Sequence, residues 1–293
     1  MALQFTPSLW PLRPVPLPAV AAPYGRMHLV RDGFLYAGLL SGVTSQRHSA
    51  LVYLALTPSE FTIEMEGSRL CAAAALVGPG VHKRFEGGDH PVVSLDICPT
   101  HRHYRAFAPA QGATVAWPRE HFEGLAGALA AFHEGSLGSA ESDRLYCQLV
   151  ELAVQRLPAV KPIDPRVREV MRLLRENRGH SIQQLADAVC LSKDWLVHLF
   201  QREAGISLRK YEQTLKLQAA AVYVNRGVSM TKVAAIAGFA DSAHFSKMWK
   251  QNFGFPPNRF FVCNDQIAID PVPWPTCIER PAGAEAGRDA LYG

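Results

Sequence analysis

The chain has 293 residues, of which 48% are hydrophobic and 19% are charged, and its formal net charge is +4. This length allows about two domains, and the composition is that of an ordinary globular protein rather than a disordered or fibrous one. Every apolar run is shorter than the ~18 residues that a membrane span needs, and the start of the chain lacks the basic and apolar pattern of a secretory signal. The six cysteines include no CxxC pair, which argues against a disulfide framework or a clustered thiolate metal site and favours a cytoplasmic location.

The N-terminal part has the pattern of a small β domain. After a proline-rich lead (residues 1–25), apolar runs such as Leu51–Leu56 and Val92–Ile97 are separated by glycine and proline, and Phe61–Met65 alternates apolar and polar residues. Many short strands with regular turns favour a sandwich or a barrel.

Helical character follows in residues 118–157, where leucine and phenylalanine recur at intervals of three or four. This spacing predicts two antiparallel helices. Two roles stay open for their apolar stripe: packing against the β domain, or forming a homodimer interface. Residues 158–165 are predicted to be a linker, and the residues rich in proline and glycine at 264–293 are predicted to be a disordered tail.

Positive charge is concentrated in residues 161–263. That segment holds sixteen Lys and Arg residues against eight Asp and Glu residues, a net charge of +8, whereas the rest of the chain carries −4. Concentrated positive charge favours a partner that bears phosphate, such as nucleic acid. An ordinary solvated basic surface is the alternative from charge alone.

Two helix pairs repeat inside this basic segment, each with apolar residues at the i, i+3, i+4 spacing of one buried face. The first helices match, 48 positions apart, at Leu185, Ala186 and Val189 and at Val233, Ala234 and Ala237. The second helices match, 49 positions apart, at Leu196, Leu199, Phe200 and Gly205 and at Phe245, Met248, Trp249 and Gly254. The extra residue is predicted to lie in the turn 238–241, as a duplicated helix-turn-helix would tolerate.

The second helix of each pair, called the reader helix below, has capping residues at both ends. Ser192 and Asp241 are good N-caps, and Gly205 and Gly254 can adopt the left-handed conformation that ends a helix. A helix with these caps can point its N-terminal half into the major groove of DNA, whose width admits it. The repeat therefore predicts two helix-turn-helix units joined by a long helix.

These residues resemble the DNA-binding domain of the AraC/XylS family of bacterial transcription regulators. The resemblance rests on Leu185–Tyr211 for the first unit and on Ile236–Phe260 for the second. Trp249, where the family usually has Phe, and Phe260–Phe261, where a Tyr-Arg pair is common, depart from the pattern. The resemblance implies a DNA-binding regulator that usually activates transcription through contact with RNA polymerase.

The apolar stripes leave a polar face on each reader helix, where the resemblance implies contacts with the groove. The predicted base-reading residues are Lys193, Asp194, Val197, His198 and Gln201 on the first reader and Ser242, Ala243, Ser246 and Lys247 on the second. The predicted phosphate contacts are Ser192, Arg202, Arg209, Lys210 and Lys250. Trp195 and His244 lie beside the core stripes and are predicted to be packing residues.

The β domain resembles the cupin-like sensor domain of the same family at Arg47–Ser49 and Gly78–Phe85. An effector pocket in the barrel mouth is therefore predicted. Its residues are predicted to be Arg47, His48, Tyr53 and His82.

A metal site and a purely structural barrel stay open as alternatives to that pocket. Cupin enzymes hold a metal with an HxH pair, a carboxylate and a later histidine, but His48 is followed at position 50 by Ala. The one HxH, His101–His103, follows Pro99 directly in a predicted loop. We assign no catalytic residue, no metal and no cofactor.

Two functions from different classes follow. The first is an α+β transcription regulator, with a cupin-like barrel and two helices in residues 26–157 and an all-α DNA-binding domain in residues 166–263. Its predicted partners are double-stranded DNA, RNA polymerase and an unknown small-molecule effector, with no membrane partner and with a homodimer through residues 118–157 as an option. The rival is a metal-dependent cupin enzyme with an attached DNA-binding domain.

Overall fold

The structure is a computed structural model that describes residues 25–224, 226–261 and 267–269. The predicted proline-rich lead, apart from Gly25, lies outside the described residues. So do residues 270–293 of the predicted tail. Within the described residues, no helix has both the length and the apolarity that crossing a bilayer requires.

The N-terminal domain consists of two sheets that share a core, and it is called the barrel below. Its strands, with one from the end of the chain, are β1 (Gly25–Val30), β2 (Gly33–Gly38), β3 (Ser41–Gln46), β4 (Ala50–Ala55), β5 (Phe61–Met65), β6 (Ser68–Ala72), β7 (Ala74–Val77), β8 (His82–Glu86), β9 (Val92–Ile97), β10 (Thr114–Ala116) and β11 (Ile267–Ile269). The large sheet has the order β10-β7-β4-β9-β2-β1-β11, and the small sheet has the order β3-β8-β5-β6. All the pairs are antiparallel except the parallel pair of β1 with β11.

Burial explains why the strands look different in the sequence. Every residue of β4 and β9 is buried, because the large sheet is covered on both faces. One face meets the small sheet, where Tyr53, Phe61 and Phe85 share a core. Strand β5 alternates buried and exposed residues, because the small sheet covers the core with one face only.

The other face of the large sheet is covered by helices. After β9 come α1 (Tyr104–Phe107) and a 3₁₀ helix (Ala108–Ala110), and after β10 come a second 3₁₀ helix (Arg119–Leu125), α2 (Ala126–Glu134) and α3 (Ser139–Val154). Their apolar side chains, including Leu129, Phe132 and Leu149, share one core with Val52, Leu95 and other residues of the sheet. The stripe of residues 118–157 thus takes the packing role, and the homodimer role stays a prediction.

The C-terminal domain is entirely helical. Its helices are α4 (Pro165–Glu176), α5 (Ile182–Ala188), α6 (Lys193–Ala204), α7 (Leu208–Ala221), α8 (Met230–Ala237), α9 (Ser242–Phe253) and α10 (Asn258–Phe261). The first four share a core around Leu174, Leu185 and Phe200. The second half of α7 shares a separate core with α8, α9 and α10 around Ala234 and Phe245. The predicted long helix is α7, and it joins the two units because it contributes to both cores.

The predicted α+β fold class is confirmed, but two boundaries differ from the sequence analysis. Helix α4 begins at Pro165 with Asp164 as its N-cap, so the helical domain starts at the end of the predicted linker. The prediction of a disordered tail is wrong for Ile267–Ile269, which pairs in parallel with Gly25–Met27. These three residues have the apolar character of an edge strand, which the prolines that follow at 271, 273 and 275 obscured.

Candidate nucleic-acid interface

The two helix-turn-helix units are built by the same backbone hydrogen bonds. In the first turn, Leu191 N donates to Ala186 O at 2.9 Å, and in the second, Phe239 N donates to Ala234 O at 2.9 Å. This six-to-one bond belongs to the Schellman motif, which ends a helix with a left-handed residue. That residue is Cys190 (φ 55°) in the first unit and Gly238 (φ 81°) in the second.

The predicted insertion can be assigned to a single residue. The Schellman bonds keep the 48-residue offset as far as Leu191 and Phe239. The N-caps of the reader helices, Ser192 and Asp241, are 49 residues apart. Ala240 is therefore the extra residue, and it lies in the turn as the sequence predicts.

Both reader helices, α6 and α9, are capped as predicted. The Ser192 side chain accepts a hydrogen bond from Trp195 N, and the Asp241 side chain accepts one from His244 N at 2.6 Å. The helices end at Gly205 (φ 72°) and Gly254 (φ 82°), both in the left-handed region. The unpaired N–H groups of each first turn give the N-terminal end a partial positive charge, which suits contact with phosphate.

The base-reading residues predicted from the sequence lie on the surfaces of α6 and α9. Exposed among them are Lys193, Asp194, His198, Gln201, Ala243 and Lys247, and half-buried are Val197, Ser242 and Ser246. The predicted phosphate contacts Ser192, Arg202, Arg209, Lys210 and Lys250 are all exposed. Two of these residues, Gln201 and Lys210, also line a small cavity of about 60 Å³ against the barrel, together with His48. They are thus nearer to the barrel than the other predicted contacts.

The packing role predicted for Trp195 is wrong, because its side chain is 51% exposed. It lies in the first turn of α6, next to Lys193 and Asp194, and is an apolar surface that the reader face can offer to DNA. His244 is also exposed, with its ring edge-on to Phe239 at 5.6 Å. The helical period places both residues between the buried and exposed faces, so the spacing alone does not decide their burial.

The barrel holds the C-terminal ends of both reader helices. A Cβ atom on Gly205 would collide with the Cβ atom of Ala108, which follows α1. A Cβ atom on Gly254 would lie 2.7 Å from Val43 Cγ1 and 2.8 Å from Thr44 O of strand β3. Glycine suits each position for two reasons. Its left-handed backbone ends a reader helix, and its lack of a side chain allows the helix to approach the barrel.

Polar contacts reinforce both approaches. Near α6, the Arg105 guanidinium donates to Glu203 O at 2.5 Å and lies 3.7 Å from the Glu203 carboxylate. Near α9, the His48 backbone N–H donates to Asn252 Oδ1 at 3.4 Å. In the N-terminal halves of the readers, the side chains of Lys193, His198 and Lys247 are exposed.

Arg47 connects α9 with the interior of the barrel. Its guanidinium lies over two neighbouring rings, 5.0 Å from the centre of Phe34 and 5.1 Å from the centre of Phe253, the last residue of α9. It also pairs with the buried Asp96 carboxylate at 3.0 Å. Burial raises the pKa of Asp96, and the Arg47 charge opposes that effect. Arg47, which the sequence predicts as an effector residue, therefore contacts both domains.

Behind Arg47 lies a buried polar cluster that the sequence analysis missed in part. Lys83 is 1% exposed, donates to Ser45 Oγ at 3.1 Å, and has its ammonium 5.7 Å from the centre of the Tyr53 ring. Burial lowers the pKa of Lys83 to about 7 and raises the pKa of Tyr53 to about 12. The sequence signal for the burial of Lys83 is the alternation of inward-facing residues in β8. Lys83 lies between Val81 and Phe85 on the face that points inward.

The four predicted effector residues do not converge. Arg47 and Tyr53 adjoin the buried cluster, whereas the His82 side chain is exposed. The His48 ring faces Lys210 on α7, and burial, together with the Lys210 charge, lowers its pKa to about 4. Within the described residues, no three His, Cys, Asp or Glu side chains come together as a metal site would require.

Comparison with known proteins decides what the helical domain is. Residues 185–261 match the helix-turn-helix domain family, and over 158 residues the chain is 29% identical to the arabinose operon regulatory protein of Escherichia coli, covering 50% of this chain and 53% of that protein. This region is an AraC-type helix-turn-helix domain. Over 96 residues the chain is also 32% identical to the HTH-type transcriptional regulator GbdR of Pseudomonas aeruginosa, covering 32% of this chain and 26% of that protein.

The fold as a whole is similar to that of ToxT from Vibrio cholerae. The TM-score is 0.50 at 9% sequence identity, and the similarity covers 77% of this chain and 94% of ToxT. At this identity the likeness concerns the fold alone: a β domain followed by a helical domain. The chain spans about half the length of the curated relatives that it matches first.

Proposed function

We propose that the protein is a sequence-specific DNA-binding transcription regulator whose barrel responds to a small-molecule effector. Helices α6 and α9 enter the major groove of double-stranded DNA, while the barrel holds their C-terminal ends. The observation that carries this proposal is the repeated geometry of the readers: each has an N-cap, an exposed polar N-terminal half and a left-handed glycine at its end.

The exposed side chains suit different parts of the duplex. Lys193 and Lys247 meet guanine or phosphate, and His198 and Gln201 donate to base edges. Asp194 accepts a hydrogen bond from cytosine N4. These contacts give the sequence preference, because base edges in the major groove carry a distinct pattern of donors and acceptors.

Another group of residues positions the domain without reading sequence. Arg202, Arg209 and Lys250 are exposed cations beside the readers and meet phosphate oxygens, and the Ser192 end of α6 adds backbone N–H groups. Lys210 takes a smaller part, because it also lines the small cavity against the barrel.

The effector acts on the barrel, and the buried cluster of Lys83, Tyr53 and Asp96 is the region through which its binding reaches the readers. Arg47 supports this step, because it contacts both Asp96 and Phe253. The output is activation of transcription through contact with RNA polymerase, as the resemblance to the AraC/XylS family implies. A homodimer would use the outer face of residues 118–157, since the inner face packs on the sheet.

The proposal is tested by base-by-base binding profiles of the full chain on a duplex selected from a random library. His198→Ala and Lys247→Ala should each relax the preference at particular base positions, by about 1–3 kcal/mol where a bidentate contact is lost. Arg202→Ala and Arg209→Ala should instead weaken binding almost equally on all sequences and lower the salt slope by about one phosphate each.

Arg69→Ala provides the matched control, because Arg69 is an exposed cation on β6 in the barrel domain. It should change neither the profile nor the salt slope. The same profile in all four reader and anchor variants would contradict the assignment of faces. An affinity for DNA that does not depend on salt would contradict DNA binding by this surface altogether.

A further inference from the structure

A wide cleft separates the barrel from the first helix of the AraC-type domain. It has a volume of about 1480 Å³, and its barrel wall is formed by residues 31–32 and 99–105. Residues 160–179 at the linker and α4, with Ala235 and Ile236 of α8, form the facing wall. None of the predicted base-reading or phosphate residues lines it, so the DNA assignment leaves this cleft unexplained.

Cations dominate both walls. Eight Lys and Arg residues line the cleft against three Asp and Glu residues. Five of the sixteen basic residues in segment 161–263 are among them. About a third of the basic side chains of that segment therefore line this cleft. On α4, the spacing of Arg168, Arg172 and Arg175 puts the three guanidinium groups on one helix face.

Carboxylates outside the cleft pair with two of these cations, Arg102 with Glu151 at 3.9 Å and Arg105 with Glu203 at 3.7 Å. Glu169 and Glu176 both pair with Arg172, at 2.5 Å each. Within the described residues, Arg31 on the barrel wall and Arg168 on the opposite wall make no ion pair. Arg178 is half-buried, and its nearest partners are two carbonyl oxygens at 3.5 Å, a distance at which hydrogen bonds are weak.

Like charges that face each other across an interface are unfavourable, and an anion between them removes that cost. Seven of the eight cations are arginines, whose planar guanidinium groups bind phosphate and carboxylate in bidentate fashion. The cleft also has an apolar part, formed by Ile163, Met171 and Ile236. This combination fits an organic anion rather than a lone inorganic ion.

We propose that the cleft is a second ligand site, which binds a small organic polyanion with phosphate or carboxylate groups. Arg31 on the barrel and Arg168 on α4 hold its charged groups from opposite walls. A ligand that bridges the two walls stabilises the docked arrangement of the barrel and the DNA-binding domain, because it binds only where both walls are together.

The site is tested by thermal unfolding of the full chain with two probes, sodium tripolyphosphate and citrate, each compared with sodium chloride at the same ionic strength. Either probe should raise the melting temperature in a saturable way, by roughly 5 °C at a hundredfold excess over its dissociation constant. A response to tripolyphosphate alone assigns the site to phosphate, and a response to both assigns it to polyanions in general.

The double variant Arg31→Gln/Arg168→Gln should lose that rise. Without a probe it should melt at the same temperature as the wild type or higher, because two unpaired like charges are removed. The single variant Arg69→Gln is the matched control and should keep the full rise.

Four results would overturn the proposal. One is a rise that sodium chloride reproduces, and another is a rise that the double variant keeps. The third is a rise abolished by Lys247→Gln/Lys250→Gln, which would mean that the anion occupies the reader helices. The proposal would also be overturned if the salt dependence of DNA affinity decreased as much in Arg31→Gln/Arg168→Gln as in Lys247→Gln/Lys250→Gln. DNA would then contact the cleft itself. None of these readings depends on the proposed role in transcription.

Discussion

Replacing Gly254 with alanine measures whether the barrel holds the second reader helix in solution. Two costs are expected, because Gly254 has φ 82° and because a Cβ atom there would lie 2.7 Å from Val43 Cγ1 and 2.8 Å from Thr44 O. Gly238 offers a matched control: it has φ 81°, also ends a helix, and would place a Cβ atom no closer than 3.7 Å to Lys216 Cε. The two sites thus share the backbone cost, and only Gly254 has the contact with the barrel.

The expected magnitudes follow from these geometries. Alanine in the left-handed region costs about 1–2 kcal/mol, and that should be the whole effect of Gly238→Ala. At Gly254 the new methyl group meets a backbone oxygen that cannot move aside, so overpacking adds about 1–3 kcal/mol. Gly254→Ala should therefore reduce the free energy of unfolding by about 2–5 kcal/mol in total.

The measurement is urea unfolding of the full chain, followed by tryptophan fluorescence, to which Trp249 contributes from the core of the second unit. Gly205→Ala should behave like Gly254→Ala, because its Cβ atom would collide with Ala108. If Gly254→Ala and Gly238→Ala cost the same, the barrel does not touch α9 in solution.

Three further predictions concern single side chains. Cys190→Gly should stabilise the chain by about 0.5–1 kcal/mol in urea unfolding, because φ 55° is strained for cysteine; a loss of stability would contradict this. The wild type should gain stability from pH 7 to pH 10, because Lys83, with its pKa lowered to about 7, is neutral when folded and protonated when unfolded. Lys83→Met should remove that gain, and equal pH slopes for the two proteins would count against it. Trp195→Ala should weaken DNA binding while changing the free energy of unfolding by less than about 0.5 kcal/mol, since the ring is 51% exposed; a large loss of stability would restore the packing role.

The helical domain could be predicted closely because its information is local. Caps such as Ser192 and Asp241 act within one turn, and the repeat tests each assignment twice. The offsets of the apolar positions confine the inserted residue to the turn 238–241, and the backbone hydrogen bonds identify it as Ala240. Cys190 shows the limit of this approach, because a left-handed cysteine has no distinctive pattern in the sequence.

The contacts between the domains could not be predicted in the same way. Nothing in the sequence indicates that Ala108 and Val43 approach Gly205 and Gly254. The two glycines are already explained as helix caps, so the sequence gives no reason to expect a second contact there. The arginines of α4 contributed to a charge count that pointed to DNA, and only the fold turns them towards the barrel. Lys83 was within reach of a simple argument, since it alternates with Val81 and Phe85, but a lysine is usually taken as exposed.

Because the barrel holds the C-terminal end of each reader helix, a small tilt at that end is enough to displace the N-terminal end. Helix α9 has 12 residues, which corresponds to a length of about 18 Å. Because the barrel fixes its C-terminal end, a tilt of about 10° at Gly254 moves the N-terminal end by about 3 Å. That distance is as long as a direct hydrogen bond to a base, so such a tilt would break the DNA contacts proposed for Ser242 and Ala243 while leaving both domains folded. Helix α6 is held by a different part of the barrel, at Ala108, and a distortion confined to β3 would therefore move one reader relative to the other. An effector in the barrel then needs only to favour one position of β3, and each 1.4 kcal/mol of preference changes the ratio of the two arrangements tenfold.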